Sequence, residues 1–209
     1  MAKTSRNAHA LLAAAMLLAL HPSAAPAQLQ AQAQPAAAAA APPRDGSHDF
    51  DFEIGEWLTH LKRLQRPLSG STTWVEYEGT SSVRGVLGGR ANLVELVADG
   101  PAGRIEGASL RLYDPQAHQW TLNYFNIADG HLTAPMVGEF IDGKGMFRAQ
   151  DSYKGQPILV RFVIARVNEN VYRFEQAFSP DGGQTWETNW VATDTRLSSR
   201  STGMRGRSL

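Results

Sequence analysis

The sequence contains no cysteine. That excludes disulfides, thiolate metal sites, cysteine nucleophiles and a lipid-modified cysteine. A domain without staples must hold together by its core. Long apolar runs are absent too. Ala10–Leu20 is an eleven-residue apolar stretch, well short of the roughly 20 residues that cross a bilayer as a helix. No excess of positive charge exists, with 20 Lys and Arg against 20 Asp and Glu. Between Asp49 and Leu197 the balance turns acidic, 14 against 19. Such a domain repels phosphate backbones and shows no basic stripe interleaved with aromatics, so nucleic acid is not an expected partner. No G-x-S-x-G elbow occurs. The glycine-rich run Gly85–Arg90 lacks the G-K-[ST] ending of a phosphate loop and reads as a hairpin turn.

What is present begins with a leader. Lys3 and Arg6 precede the apolar stretch, and Ala25-Pro26-Ala27 offers the small-x-small pattern of a cleavage site. Residues 1–27 therefore read as a signal peptide, and the mature protein as exported, periplasmic or secreted, without a membrane span. Residues 28–48 are rich in Ala, Gln and Pro and carry no aromatic or β-branched residue. Such a composition buries too little to offset its ordering entropy and reads as a disordered linker. Residues 198–209 read as a flexible tail. All 18 aromatic residues lie between Phe50 and Trp190. The domain is therefore 49–197, and about 150 residues suffice to bury a sizeable core.

Within it the dominant pattern is alternation broken by turn chemistry. Trp74–Gly79, Asn92–Val97, Ser109–Tyr113, Trp120–Ile127, Val137–Ile141, Met146–Tyr153, Ile158–Val167, Val171–Phe178 and Trp186–Thr195 read as strands. Trp57–Leu64 fits a strand or a helical turn. Asp142-Gly143-Lys144-Gly145 and Asn168-Glu169-Asn170 mark hairpins. No long amphipathic helix is available for a crossover connection. The expected fold is all-β, an antiparallel up-and-down barrel of about 8–10 strands, because closure removes exposed sheet edges.

Ser179–Trp186 matches the Asp-box S-x-D-x-G-x-T-W, found once and without a propeller-length repeat, so it reads as a structural hairpin. Among the histidines after the leader, His48, His60, His118 and His131, none stands two or four residues from another. No metal site is expected, and none of their positions fits a haem motif. His48-Asp49-Phe50-Asp51 reads as a solvated lead-in. His60, near Trp57 and Arg63, reads as a partly buried structural histidine and as a lesser candidate for ligand contact. Small barrels line cavities with aromatics and a few polar groups. Trp57, Trp120, Tyr124, Phe174 and Trp190 are the aromatic candidates; Arg161, Glu175 and Asn189 are the polar ones. In β-register Tyr172, Phe174, Gln176 and Phe178 share one face, and a one-residue error would invert every inward assignment.

Phe50-Asp51-Phe52-Glu53-Ile54-Gly55-Glu56-Trp57, then Leu87-Gly88-Gly89, and finally Asp181-Gly182-Gly183-Gln184-Thr185-Trp186-Glu187 resemble a bacterial family of exported domains of unknown function with lipocalin-like, calycin-like barrels. The resemblance spans Asp49 to about Arg196. It implies the barrel, and it implies that Trp57 plugs one end as the G-x-W tryptophan of lipocalins does. It implies a fold far more than an activity. The leading expectation is an extracytoplasmic protein that binds a small, largely apolar molecule in its interior, with no cofactor. Two alternatives stand beside it. One is a hydrolase or isomerase using a buried carboxylate, Glu175 or Asp151. The other is a protein-interaction module with an exposed apolar patch. Ligand and oligomeric state stay open.

Overall fold

The structure, a computed structural model, describes residues 44–198. The expected signal peptide, most of the linker and the tail beyond Ser198 fall outside the described residues. A 3-10 turn, Asp51–Glu53, leads into ten strands, and a second, Leu87–Gly89, joins the second strand to the third. These are β1 Gly55–Leu64, β2 Trp74–Val86, β3 Ala91–Gly100, β4 Gly103–Asp114, β5 Gln119–Asn126, β6 Met136–Ile141, β7 Lys144–Tyr153, β8 Gln156–Asn168, β9 Val171–Ser179 and β10 Glu187–Arg196. Each pairs antiparallel with its neighbours in the chain, and β10 returns to β1 to close the barrel.

Local chemistry accounts for the path. Trp57, Thr59 and Leu61 of β1 are buried while Leu58 and His60 are exposed, so this segment is a strand and not a helical turn. Asp142 and Gly143 both take positive φ, 50° and 75°, and so do Lys154 and Gly155 at 52° and 79°. Paired left-handed residues make the primed turns whose twist suits a hairpin. Two strands run further than the sequence suggests. β2 continues past Gly79 and β4 begins before Gly107, because these glycines sit within the sheet instead of ending it. Interior strand glycines mark close approaches in barrels.

The two ends of the barrel differ. The chain from Arg44 to Trp57 folds across the end where β1 starts. Phe50 meets Trp120 and Phe140 edge-to-face, each at 4.9 Å, and stacks on Phe147 at 5.7 Å. Residues 44–48, placed in the linker by composition, are held to the barrel by backbone contacts that composition does not reveal. Trp120 Nε1 donates to Gly46 O at 2.9 Å, and Gly46 N donates to Tyr113 Oη at 2.9 Å. Arg196 at the end of β10 straps this plug. Its guanidinium lies 4.1 Å over Trp57 and donates to the carbonyls of Phe52 and Ile54. Gly55 takes φ 136°, a backbone conformation that L side chains rarely adopt, which explains the glycine between Phe52 and Trp57. The opposite end carries the β9–β10 hairpin and the long β5–β6 connection. Its seam is thin, since β5 and β6 pair only over Trp120–Leu122.

Candidate functional site

Above the plug the aromatic packing gives way to a cavity of about 130 Å³ inside the barrel. Its walls are apolar: Leu61, Leu122, Ile164, Phe174, Trp190 and Tyr124 among them. Gly107 makes room for the last. A Cβ there would collide with the Tyr124 ring and hydroxyl, so a larger residue would push the tyrosine out of the wall. Tyr124 and Trp190 stand toward the open end, where Arg63 lies 4.6 Å over the Trp190 ring. Burial raises the Tyr124 hydroxyl above its usual range, with Arg63 opposing the shift.

The floor is polar. Asp194 of β10 points inward from the register that sets it opposite Thr59 and Tyr172. Thr59 Oγ1 donates to Asp194 Oδ1. Ser81 Oγ lies 2.7 Å from Thr59 Oγ1 and 3.4 Å from the same carboxylate oxygen, so its one proton is shared between them. Asp194 is 3% exposed. Burial is the largest influence on its carboxyl and lifts it to about 6, although the Thr59 hydroxyl holds it down. Tyr172 forms the next layer, its ring 4.7 Å from Trp57. Its hydroxyl lies well above the usual range because of burial and then the nearby Glu53 and Asp194 carboxyls.

A second polar pair flanks the floor. Glu53, from the lead-in turn, is 0% exposed and accepts from Arg111 Nη1 at 2.8 Å. Arg111 of β4 also lies 4.2 Å over the Phe50 ring and lines the cavity. Burial raises the Glu53 carboxyl and Arg111 opposes that shift. Two atoms of the pair, Glu53 Oε1 and Arg111 Nε, are buried without a hydrogen-bond partner among the described residues. Among those residues no three His, Asp or Glu side chains gather to hold a metal ion.

The sequence candidates divide. Tyr124, Phe174 and Trp190 come together in the cavity wall. Asn189 sits one step behind it, at the β9–β10 bulge, where its Oδ1 accepts from the wall residue Gln176 at 2.7 Å. Trp57 is at the plugged end with its Nε1 donating to Glu53 O at 2.6 Å. Trp120 belongs to the packed aromatic cluster around Phe50 and does not reach the cavity. The pleat that turns Phe174 inward turns Glu175 outward. Glu175 accordingly pairs outside the barrel with Arg161 at 3.9 Å, whose guanidinium lies 4.5 Å over Trp186. His60 is likewise on the outside, 47% exposed and 2.5 Å from Glu78. Asp151 is exposed near the end of β7. The Ser179–Trp186 segment forms the β9–β10 turn. Asp181 accepts from Thr185 N, Thr185 Oγ1 and Ser179 Oγ, bonds that hold its carboxyl down at about 2.

Sequence reasoning passed over Glu53, Thr59, Ser81, Arg111 and Asp194. One signal was available: Asp194 has the same parity as Trp190 and Ala192, and Arg111 the same parity as Ile105. A charged residue on an inward face is the mark of a polar floor.

No family model matches the chain, and no curated protein matches its sequence. Among solved structures several barrels are similar. An S-type phycobiliprotein lyase, CPES from Guillardia theta, is similar with a TM-score of 0.52 at 12% identity, covering 75% of this chain and 99% of that one. The redesigned β-barrel mFAP1, solved bound to DFHBI, gives 0.39 at 10% identity over 73% of this chain and 100% of its own. A de novo designed fluorescence-activating β-barrel gives 0.38 at 11% identity over 74% and 100%. At 12% identity the likeness to the lyase concerns the fold alone, a closed ten-strand antiparallel barrel of the calycin-like kind.

Proposed function

We propose that this protein is an extracytoplasmic binding protein that takes a small, largely apolar molecule into the barrel. The observation that carries the reading is the cavity itself, apolar along its walls and polar at its floor. A hydrophobic enclosure with a few placed polar groups is the usual form of a small-molecule site. The export half of the reading rests on Lys3, Arg6 and the Ala10–Leu20 stretch, and on the resemblance to an exported bacterial family. The enzyme alternative loses the two carboxylates named for it, since Glu175 and Asp151 stand outside the cavity. The interaction-module alternative would draw on exposed apolar side chains such as Phe125, Ile127 and Leu132.

Toluene is the simplest probe. A ligand that binds only the folded state raises its stability in proportion to the logarithm of ligand concentration. Thermal unfolding with increasing toluene is expected to show a saturating rise in Tm, about 3 °C or more near saturation. Ala192 lies in the cavity wall opposite Leu61 and Phe174, so Ala192→Leu fills the space and is expected to abolish the rise. An equal rise in both proteins would place toluene elsewhere and defeat the reading.

A further inference from the structure

We infer that the cavity selects a ligand bearing one neutral group that both donates and accepts a hydrogen bond, a hydroxyl above all, seated between Asp194 and Arg111. The inference rests on the interior-binding reading and adds the chemistry of the ligand's head and the size of its body.

The floor offers one acceptor and one donor. Asp194 is the acceptor: the Thr59 and Ser81 hydroxyls address Oδ1 and the Tyr172 hydroxyl also bonds the carboxyl, while a carboxylate's roughly four lone-pair sites leave room for one more donor. Arg111 is the donor. Its side chain is 8% exposed, its Nη1 is engaged by Glu53, and its Nε has no acceptor among the described residues. A buried donor left unmade is costly, so this end of the cavity favours a molecule that supplies an oxygen. A hydroxyl meets both demands at once, accepting from Arg111 and donating to Asp194.

Other heads fit less well. An ammonium group would donate to Asp194 but would face the Arg111 cation and offer it no lone pair. A carboxylate would accept from Arg111 but would meet the charges of Asp194 and Glu53. An ether accepts and cannot donate. A hydrocarbon leaves both groups unmet, and it would displace any water there without replacing that water's bonds. The body is bounded by volume. An apolar cavity of about 150 Å³ accommodates benzene, and this one measures about 130 Å³. One six-membered ring or an alkyl chain of similar size fills it, lying against Leu61, Leu122 and Ile164.

Titration calorimetry of the full protein at pH 7 with phenol, anisole, toluene, benzylamine and benzoate tests this. Phenol is expected to bind about tenfold tighter than toluene or anisole, and tighter than either charged probe. In Asp194→Asn the advantage of phenol over toluene is expected to shrink to about threefold or less. Toluene or anisole binding as tightly as phenol would overturn the head-group inference while leaving interior binding intact. Benzylamine or benzoate binding tighter than phenol would overturn it in favour of a charged head. No binding of any probe to folded protein would overturn the interior reading as well.

Discussion

Arg111→Leu is expected to destabilise the protein by about 3–5 kcal/mol, the cost of removing one member of a buried ion pair. The partner left behind is Glu53, fully buried and held by Arg111 Nη1 at 2.8 Å. Without the guanidinium its carboxyl must take up a proton or stay charged in a site that burial already makes unfavourable. The loss should spread to the plug, because Glu53 belongs to the lead-in turn and its carbonyl accepts from Trp57 Nε1. Since domains are stable by only about 5–15 kcal/mol, partial unfolding at room temperature would be unsurprising. The double variant Glu53→Leu/Arg111→Leu removes both charges and is expected to recover most of the loss, as apolar replacements of buried pairs often do. Urea denaturation of the single and double variants decides it. A single variant within about 1 kcal/mol of the parent would mean that the pair is solvated, which contradicts the burial on which the floor depends.

Asp194→Asn is expected to act in the opposite direction. The folded protein lifts this carboxyl from its ordinary 3.8 to about 6, chiefly through burial. The folded state therefore holds the proton more tightly than the unfolded chain does. Below about pH 4 both states are protonated and the burial carries no charge cost. Between about pH 4 and pH 6 the unfolded chain releases a proton that the fold retains, so stability falls as pH rises. Above about pH 6 the cost is complete, roughly 3 kcal/mol. Asparagine keeps the oxygen that accepts from Thr59 and carries no charge. The gain of Asp194→Asn over the parent should thus be near zero at pH 4 and grow to roughly 3 kcal/mol by pH 7, then level off. Urea midpoints across this range measure it. Glu53, whose carboxyl burial also raises, is present in both proteins, so it enters the difference only through its repulsion of Asp194. A gain that is constant with pH would show that Asp194 is not desolvated. A stabilising substitution at the cost of ligand selectivity is the usual signature of a functional polar group in a core.

The barrel was legible because its signals are local. Alternation in Tyr172–Phe178 separates Tyr172, Phe174 and Gln176 from Arg173 and Glu175, and Asp142-Gly143 announces its turn. The site was only partly legible because its membership depends on parity and on height along the barrel axis together. Glu175 and Arg161 drew attention by standing next to aromatics, yet neighbours in a strand face opposite ways. Trp120 and Tyr124 share an inward parity, but strand β5 carries the first into the plugged end and the second into the cavity wall. The floor is assembled from β1, β2, β4 and β10, residues more than a hundred positions apart in places, and only the closure of β10 on β1 brings Thr59 to Asp194. Glu53 was hidden inside a motif whose aromatic residues attracted the attention.

The most direct test of interior binding is a methyl NMR titration with phenol. Saturable shifts are expected at Leu61, Leu122 and Ile164, which line the cavity, and not at Leu112, Val137 or Val167, which are exposed. Shifts confined to the exposed methyls, or absent from a folded protein, would contradict the account.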